Sequence, residues 1–337
     1  MRIGILTAGG DCPGINATIR GVCKTAINYY GMEVCGIHNG FRGLLDDEVT
    51  PLTEASLGGL LTMGGTILGT SRVKPFRRKG KVSDSDNAPD ALMRTIQAHG
   101  LDCLVCIGGN GTQTTAAKLV EAGVNVVMIP KTIDNDVWGT DISFGFDSAV
   151  SIATEAIDRL HSTASSHQRV MVIEVMGHKA GWIALHSGMA GGGDIILLPE
   201  LPFNIHNIGD VIIERLKKGK PYSIVVVAEG IPTLHGKKAA QYIAEEIEYE
   251  TGFETRETVL GYIQRGGSPT AFDRTLATRM GGHATELIAQ GKFGRMVSLQ
   301  GDDIVSVPLA EVAGKVKLVT PDNDLIVQGR RMGVCFG

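Results

Sequence analysis

The sequence is poor in aromatic residues, at 5% Phe, Trp and Tyr among 337, and it contains no apolar run near the roughly 18 residues that a membrane-crossing helix needs. No membrane span is expected. It also lacks a dominant charge: 32 Lys and Arg face 36 Asp and Glu, for a formal net charge of -4, so no global basic field draws the chain to nucleic acid. Any phosphate site must therefore be local. The six cysteines (Cys12, Cys23, Cys35, Cys103, Cys106 and Cys335) are too sparse for a disulfide scaffold. The opening ten residues are too short and too glycine-interrupted for a secretory core, and a reducing cytoplasm is the expected setting. Cys103 and Cys106 form a C-x-x-C, but it lies in an apolar run with no second pair to complete a tetrahedral site, and reads as buried thiols rather than a metal centre. Two nucleotide signatures are missing as well, G-x-x-x-x-G-K-[ST] and G-x-G-x-x-G. Their absence argues against a P-loop enzyme and an ordinary Rossmann dehydrogenase.

What is present is a folding composition, 43% hydrophobic and 20% charged, in a chain long enough for two packed lobes. Its 45 glycines are the outlier and should mark tight turns and close backbone approach to ligands. Short apolar, β-branched runs at 3–6, 104–107, 126–129, 170–175, 195–198 and 224–228 predict buried parallel strands. Helical spacing at 147–166, 180–189, 239–249 and 271–289 falls between or after them, which predicts a doubly wound α/β fold. A hairpin is expected at 296–299 and 304–307 around Gly301-Asp302-Asp303. The stretch 72–90, with Arg72, Lys74, Arg77, Arg78, Lys79 and Lys81, predicts a mobile basic loop.

Ligands of open parallel sheets collect at the carboxyl ends of strands. The first strand runs into Gly9-Gly10-Asp11-Cys12-Pro13-Gly14, a later one into Gly108-Gly109-Asn110-Gly111-Thr112, and a helix follows each. Glycine lets backbone N–H groups approach anionic oxygens, and the helix start adds partial positive charge, so both turns are candidate phosphate cradles. One such turn alone can serve only to reverse the chain. The run 126–129 leads into Lys131-Thr132-Ile133-Asp134-Asn135-Asp136 at the same rim. Two carboxylates so close can separate in pKa, one taking a proton from a hydroxyl while the other holds a substrate group or, through water, a metal; a capping or turn role is the alternative.

Gly9-Gly10-Asp11, Gly108-Gly109-Asn110-Gly111, Thr132 to Asp136, Ser166-His167-Gln168-Arg169, Met176-Gly177 and Gly261 to Pro269 occur in an order that resembles the bacterial 6-phosphofructokinase family. The resemblance covers nearly the whole chain. It implies the phosphofructokinase fold, two Rossmann-like lobes with largely parallel sheets flanked by helices. The expected division is a larger donor-binding lobe at 1–137 and about 252–305, and a smaller sugar-phosphate lobe at about 138–251 and 306–337.

The implied reaction is phosphoryl transfer from ATP to the 1-hydroxyl of fructose 6-phosphate, with Asp134 as the base that receives the hydroxyl proton. Gly10, Arg72, Gly111, Thr112 and Lys131 match donor positions. Thr132, Asp136, Met176, Gly177 and Glu229 match positions that hold the sugar, and Arg169, Arg256 and Arg265 match basic residues for the 6-phosphate or the transferring group. Some of these arginines are contributed across a subunit interface in the family, which implies a homodimer or homotetramer in the cytoplasm. Guanidinium forks suit phosphate, and their charge can offset charge in the transition state.

The sequence departs from the family in several places. Asn110 stands where an acidic residue helps hold the donor's Mg2+; its amide oxygen can still coordinate, with weaker affinity. His178 replaces an arginine and Tyr262 a frequent histidine near the sugar phosphate. Gly111 leaves room for the α-phosphate of ATP, whereas Lys131 matches a lysine common in pyrophosphate users, so a pyrophosphate-dependent enzyme is the runner-up. A weak regulatory homologue is a second alternative, suggested by Asn110 with His178 and opposed by the intact Asp134, Asp136 and Arg169. Arg20, Lys24, Lys218 and Lys220 retain part of a basic effector pocket in which Glu54 and His161 replace arginines, so strong regulation by anionic effectors is not expected.

Overall fold

The structure, a computed structural model, describes residues 1–76, 88–234 and 236–337. Eleven strands occur among the described residues: β1 (Arg2–Ala8), β2 (Glu33–Ile37), β3 (Val49–Leu52), β4 (Cys103–Gly108), β5 (Val126–Pro130), β6 (Val170–Val175), β7 (Ile195–Leu197), β8 (Ser223–Ala228), β9 (Thr255–Val259), β10 (Arg295–Gln300) and β11 (Asp303–Pro308). They form two sheets, and the chain divides into two compact units. Unit 1 comprises Met1–Thr132, Val137–Asp147 and Arg265–Val316; unit 2 comprises Ile133–Asp136, Ser148–Gln264 and Lys317–Gly337.

The sheet of unit 1 has the order β11-β10-β5-β4-β1-β2-β3. Its interior pairings are parallel and only the edge strands β3 and β11 run antiparallel. Every residue of β4 is buried, which is why it reads as an unbroken apolar run rather than an alternating one. That burial also pushes the Cys103 and Cys106 thiols up to about 12, which leaves them inert at neutral pH. The helices Ile15–Asn28 and Ala271–Ala289 pack backbone to backbone: a methyl on Gly281 would lie 2.7 Å from the carbonyl oxygen of Thr18, and one on Gly21 would lie 2.9 Å from that of Thr278. From β1 the sheet grows first toward β2 and then, on the other side, through β4. The point where its direction reverses lies between the two glycine turns.

Unit 2 holds a fully parallel sheet in the order β7-β8-β6-β9. The helix Ala239–Thr251 takes its start from Glu174, whose carboxylate accepts the Ala240 N–H at 2.8 Å.

The observed units shift three of the expected boundaries. Residues 252–264 fall in the smaller unit because β9 pairs with β6, and 306–316 fall in the larger because β11 pairs along all of β10. Residues 138–147 also belong to the larger unit, where Ser143 donates to the Thr132 carbonyl at 3.0 Å. The short segment Ile133–Asp136 groups with the smaller unit instead of the larger one. The basic stretch ends in a helix, Ala88–Ala98, rather than continuing as a loop to Asp90, since Pro89 in a first helical turn is pre-set for helix. Arg77, Arg78, Lys79 and Lys81 lie outside the described residues.

Candidate active site

In unit 1 the two glycine turns and the residues after β5 leave three neighbouring strands in register, with Ala8 opposite Gly108 and Gly108 opposite Pro130. Gly9 has φ +86°, a conformation natural only to glycine; its N–H donates to the Ser71 carbonyl at 3.0 Å, and its carbonyl accepts from Thr70 Oγ1 at 2.6 Å. The segment carrying Arg72 is thereby tied to the first turn. Lys131 is buried, with its N–H on the Gly108 carbonyl at 2.9 Å and its ammonium donating to the Gly10 carbonyl, so one residue bridges both turns. Arg265 reaches the same place. Its guanidinium donates to the Asp11 carbonyl at 3.1 Å, and a methyl on Gly10 would lie 2.5 Å from its Nη1.

The second turn enters the helix Asn110–Glu121, whose first residues are Asn110, Gly111 and Thr112. Thr112 packs against Gly108 and donates to the Ala8 carbonyl at 3.4 Å, closing the two strand ends on each other. Among the described residues, a Cβ on Gly111 would meet only Lys74, whose Cε and Nζ lie 3.6 and 3.8 Å from it. This space is open, and it is rimmed by a cation. The arrangement suits an extended anion lying across the switch point, with backbone N–H groups, a helix start and the cations Lys131, Arg265 and Lys74 around it.

Unit 2 carries the carboxylate turn and, Thr132 apart, the positions expected to hold the sugar. Asp134 and Asp136 are both buried, at 9% and 8% exposure, and Asn135 between them has φ +51°. At the carboxyl ends of β6 and β8, one oxygen of Glu229 accepts the N–H groups of Gly177 at 3.3 Å and His178 at 2.8 Å, while Met176 N–H donates to the Gln264 side chain at 3.3 Å. Glu229 thus shapes the Met176-Gly177-His178 turn. His178, with φ +54°, is exposed, and Tyr262 lies on the exposed short helix Gly261–Arg265.

Arg169 and Arg256 are elsewhere in this unit. They sit at the amino-terminal ends of β6 and β9, where both pair with Glu254. The six residues of β6 at roughly 3.3 Å each put about 20 Å of strand between them and the Gly177–Glu229 turn. The structure therefore gathers Met176, Gly177, His178 and Glu229 and keeps Arg169 and Arg256 apart from them. Lys218 and Lys220 line a separate cavity of about 520 Å³ with Asp194 and Arg215. His161 bonds the Gly191 carbonyl at 2.6 Å and the Tyr222 hydroxyl at 3.2 Å.

Sequence reasoning did not single out Glu254, Gln264, Lys317 or the seating of Lys74 against Gly111. Glu254 had a local signal, an acid two residues before Arg256. The others meet their partners only through the fold.

A family model for phosphofructokinase matches residues 2–288. The chain is 76% identical over 337 residues, all of both proteins, to the ATP-dependent 6-phosphofructokinase 3 of Bacteroides thetaiotaomicron. It is 52% identical to the ATP-dependent 6-phosphofructokinase of Spirochaeta thermophila, covering 99% of this chain and 97% of that protein. Among solved structures, the pyrophosphate-dependent phosphofructokinase of Marinobacter aquaeolei superposes with a TM-score of 0.84 at 25% identity, over 100% of this chain and 88% of that one. Likeness in sequence over nearly whole lengths thus extends to enzymes named for either donor, at 76% identity to one named for ATP and at 46%, over 96% of this chain and 97% of that protein, to the pyrophosphate–fructose 6-phosphate 1-phosphotransferase of Amycolatopsis methanolica. The chain belongs to the phosphofructokinase family.

Proposed function

We propose that this chain transfers the terminal phosphoryl group of ATP to the 1-hydroxyl of fructose 6-phosphate, giving fructose 1,6-bisphosphate and ADP, a step of glycolysis. The observation that carries this is the 76% identity, over the whole of both chains, to a protein named ATP-dependent 6-phosphofructokinase 3. Gly111 supports the donor: it has no side chain to obstruct an α-phosphate, and the nearby Lys74 ammonium is a point charge for one.

In this reading the glycine turns, Arg72, Thr112 and Lys131 hold the donor phosphates, and Arg265 supplies charge to the transferring group. Asp134 accepts the hydroxyl proton as the sugar oxygen attacks the γ-phosphorus, and the β–γ bridging oxygen leaves with ADP. Thr132, Asp136, Met176, Gly177, His178, Glu229 and Tyr262 orient the sugar. Catalysis then rests on positioning and on charge placed where charge develops.

The nucleotide needs a divalent metal, and Mg2+ fits a site with few protein ligands, because it keeps waters and takes phosphate oxygens. Among the described residues no group of three or more His, Cys, Asp or Glu could hold a metal by itself, and Asn110, opening its helix beside Gly111, offers a single amide oxygen of the hard-donor type. Bound there, Mg2+ would neutralise charge on the transferring phosphates.

The placement of Arg169 and Arg256, one strand length from the sugar turn, supports a role in a second copy's sugar-phosphate site, and hence a homo-oligomer. No helix of the described residues is long and apolar enough to cross a membrane, which is compatible with a cytoplasmic setting.

The deciding experiment measures initial rates with ATP and with pyrophosphate at saturating fructose 6-phosphate over a magnesium titration. ATP is expected to be the faster donor, and Asn110→Asp should reach half-maximal rate at lower magnesium. Faster turnover with pyrophosphate moves the assignment to the runner-up.

A further inference from the structure

The carboxylate turn Ile133–Asp136 is contacted by a residue far along the chain. Lys317 meets it with both side chain and backbone. Its ammonium donates to Asn135 Oδ1 at 3.0 Å, and its backbone N–H donates to the Asp136 carbonyl at 2.9 Å. Its own carbonyl accepts the indole N–H of Trp182 at 3.0 Å, and the ammonium stands 5.4 Å from the Trp182 ring centroid, within cation–π range. Lys317 is thus anchored on the helix Trp182–Ala190 while it grips the turn. A half-buried neighbour registers its charge: His186 is held below the usual histidine value, first by burial and then by the Lys317 ammonium.

The turn needs such a grip. Asn135 has φ +51°, left-handed backbone that asparagine tolerates but that extended and right-handed alternatives compete with. A relaxation at Asn135 would redirect the side chains on both sides of it. Proton transfer tolerates little of this, since a misplacement of about 1 Å can cost on the order of 100-fold in rate.

We propose that Lys317 is a positioning residue for this reaction: it fixes Asn135 and Asp136 so that Asp134 keeps the orientation in which it meets the sugar hydroxyl. The inference rests on the reading above in which Asp134 is the base. Because Lys317 acts through the turn, its loss should lower turnover by more than it raises the KM for the sugar phosphate, and should leave the KM for ATP nearly unchanged.

The test compares Lys317→Met, Lys317→Arg, Asn135→Gly and the double variant Lys317→Met/Asn135→Gly in steady-state kinetics, with thermal unfolding of each; glycine removes the side chain and keeps the left-handed backbone unstrained. Lys317→Met should lose about 10- to 100-fold in kcat, with the KM for ATP changed less than about threefold and that for fructose 6-phosphate raised less than kcat falls, and Lys317→Arg should recover most of the loss. Asn135→Gly should show the same split, and the losses should be less than additive in the double variant, because the contact between the two side chains is removed in each. If Lys317→Met does not accumulate as folded protein, Asn135→Gly, which leaves the segment around 317 intact, carries the test alone. Native kcat in either variant overturns the proposal, as do additive losses or a fall in kcat that merely follows a loss of folded enzyme. Asp134→Asn separates the two readings. If it keeps native turnover, the assignment of the base fails; if it is inactive while Lys317→Met is normal, only the role of Lys317 fails.

Discussion

Arg169 donates its Nε–H to one carboxylate oxygen of Glu254 at 2.6 Å, and Arg256 donates to the other oxygen of the same carboxylate. One acid therefore holds two guanidiniums side by side. The Arg169 hydrogen bond, with further help from the charges of Arg169, Arg256 and His167, holds Glu254 below its ordinary value of 4.5. A folded value below the unfolded one means that the pairing stabilises the protein above the ordinary value and that this contribution is lost as pH falls through the lowered one. Glu254→Gln should consequently lose less stability than the native chain on acidification. Urea midpoints above and below pH 4.5 check this, and equal acid sensitivity of the two proteins would contradict it.

The separation of Arg169 from the Gly177–Glu229 turn gives a complementation prediction. Asp134→Ser should lose about two to four powers of ten in turnover, and Arg169→Ala should lose most of its activity at ordinary fructose 6-phosphate. Mixed after dissociation and reassociation, the two should recover about a quarter of native activity in a dimer, since hybrids gather both lesions in one site and leave the other whole. No recovery, together with a fully active monomer by light scattering, would mean that each site is built from one chain.

Gly111→Asp should damage ATP use without unfolding the protein. The new Cβ has ordinary contact with Lys74 and no clash, and its carboxylate would sit beside that ammonium. We expect a melting point within about 3 °C of native, a more than tenfold rise in KM for ATP, and a much smaller effect on any pyrophosphate activity. Calorimetry and donor kinetics together read both arms.

Gly108→Ala should destabilise by about 1 to 3 kcal/mol, the usual cost of overpacking. Its methyl would lie 2.1 Å from Thr112 Oγ1 and 2.4 Å from Thr112 Cβ, a β-branched side chain fixed in the first helical turn. Gly109→Ala meets only the Lys131 carbonyl at 3.4 Å and should be nearly neutral. Adding Thr112→Gly, which removes the Cβ at 2.4 Å as well as the hydroxyl, should restore part of the stability lost at 108, as chemical denaturation would show.

Apart from the hairpin of β10 and β11, which Gly301-Asp302-Asp303 marks, the strands that sequence patterning identifies are those buried on both faces, where β-branched runs stand out. β9 escapes it because Thr255–Val259 alternates polar residues along a sheet edge, and β2 and β3 because Gly36 and Pro51 interrupt their apolar pattern. The same physics governs the site. Gly10, Gly111 and Lys131 are legible because they follow strands directly, so local order already places them at one rim. Arg265 on the first glycine turn and Lys317 on the carboxylate turn are not, since no local pattern encodes a partner more than a hundred residues away.

That distance has a bearing on how the protein is made. Lys317 and Asn135 are 182 positions apart, so during synthesis the carboxylate turn leaves the ribosome long before the residue that grips it. At about 5 to 20 residues per second, the interval is on the order of ten seconds or more. Through that time the nascent chain carries its glycine turns and Asp134 but not the contact that fixes the turn around Asp134. In the proposed reading, phosphate-binding competence then emerges before catalytic competence, and a chain stalled before Lys317 would occupy nucleotide while turning over little of it.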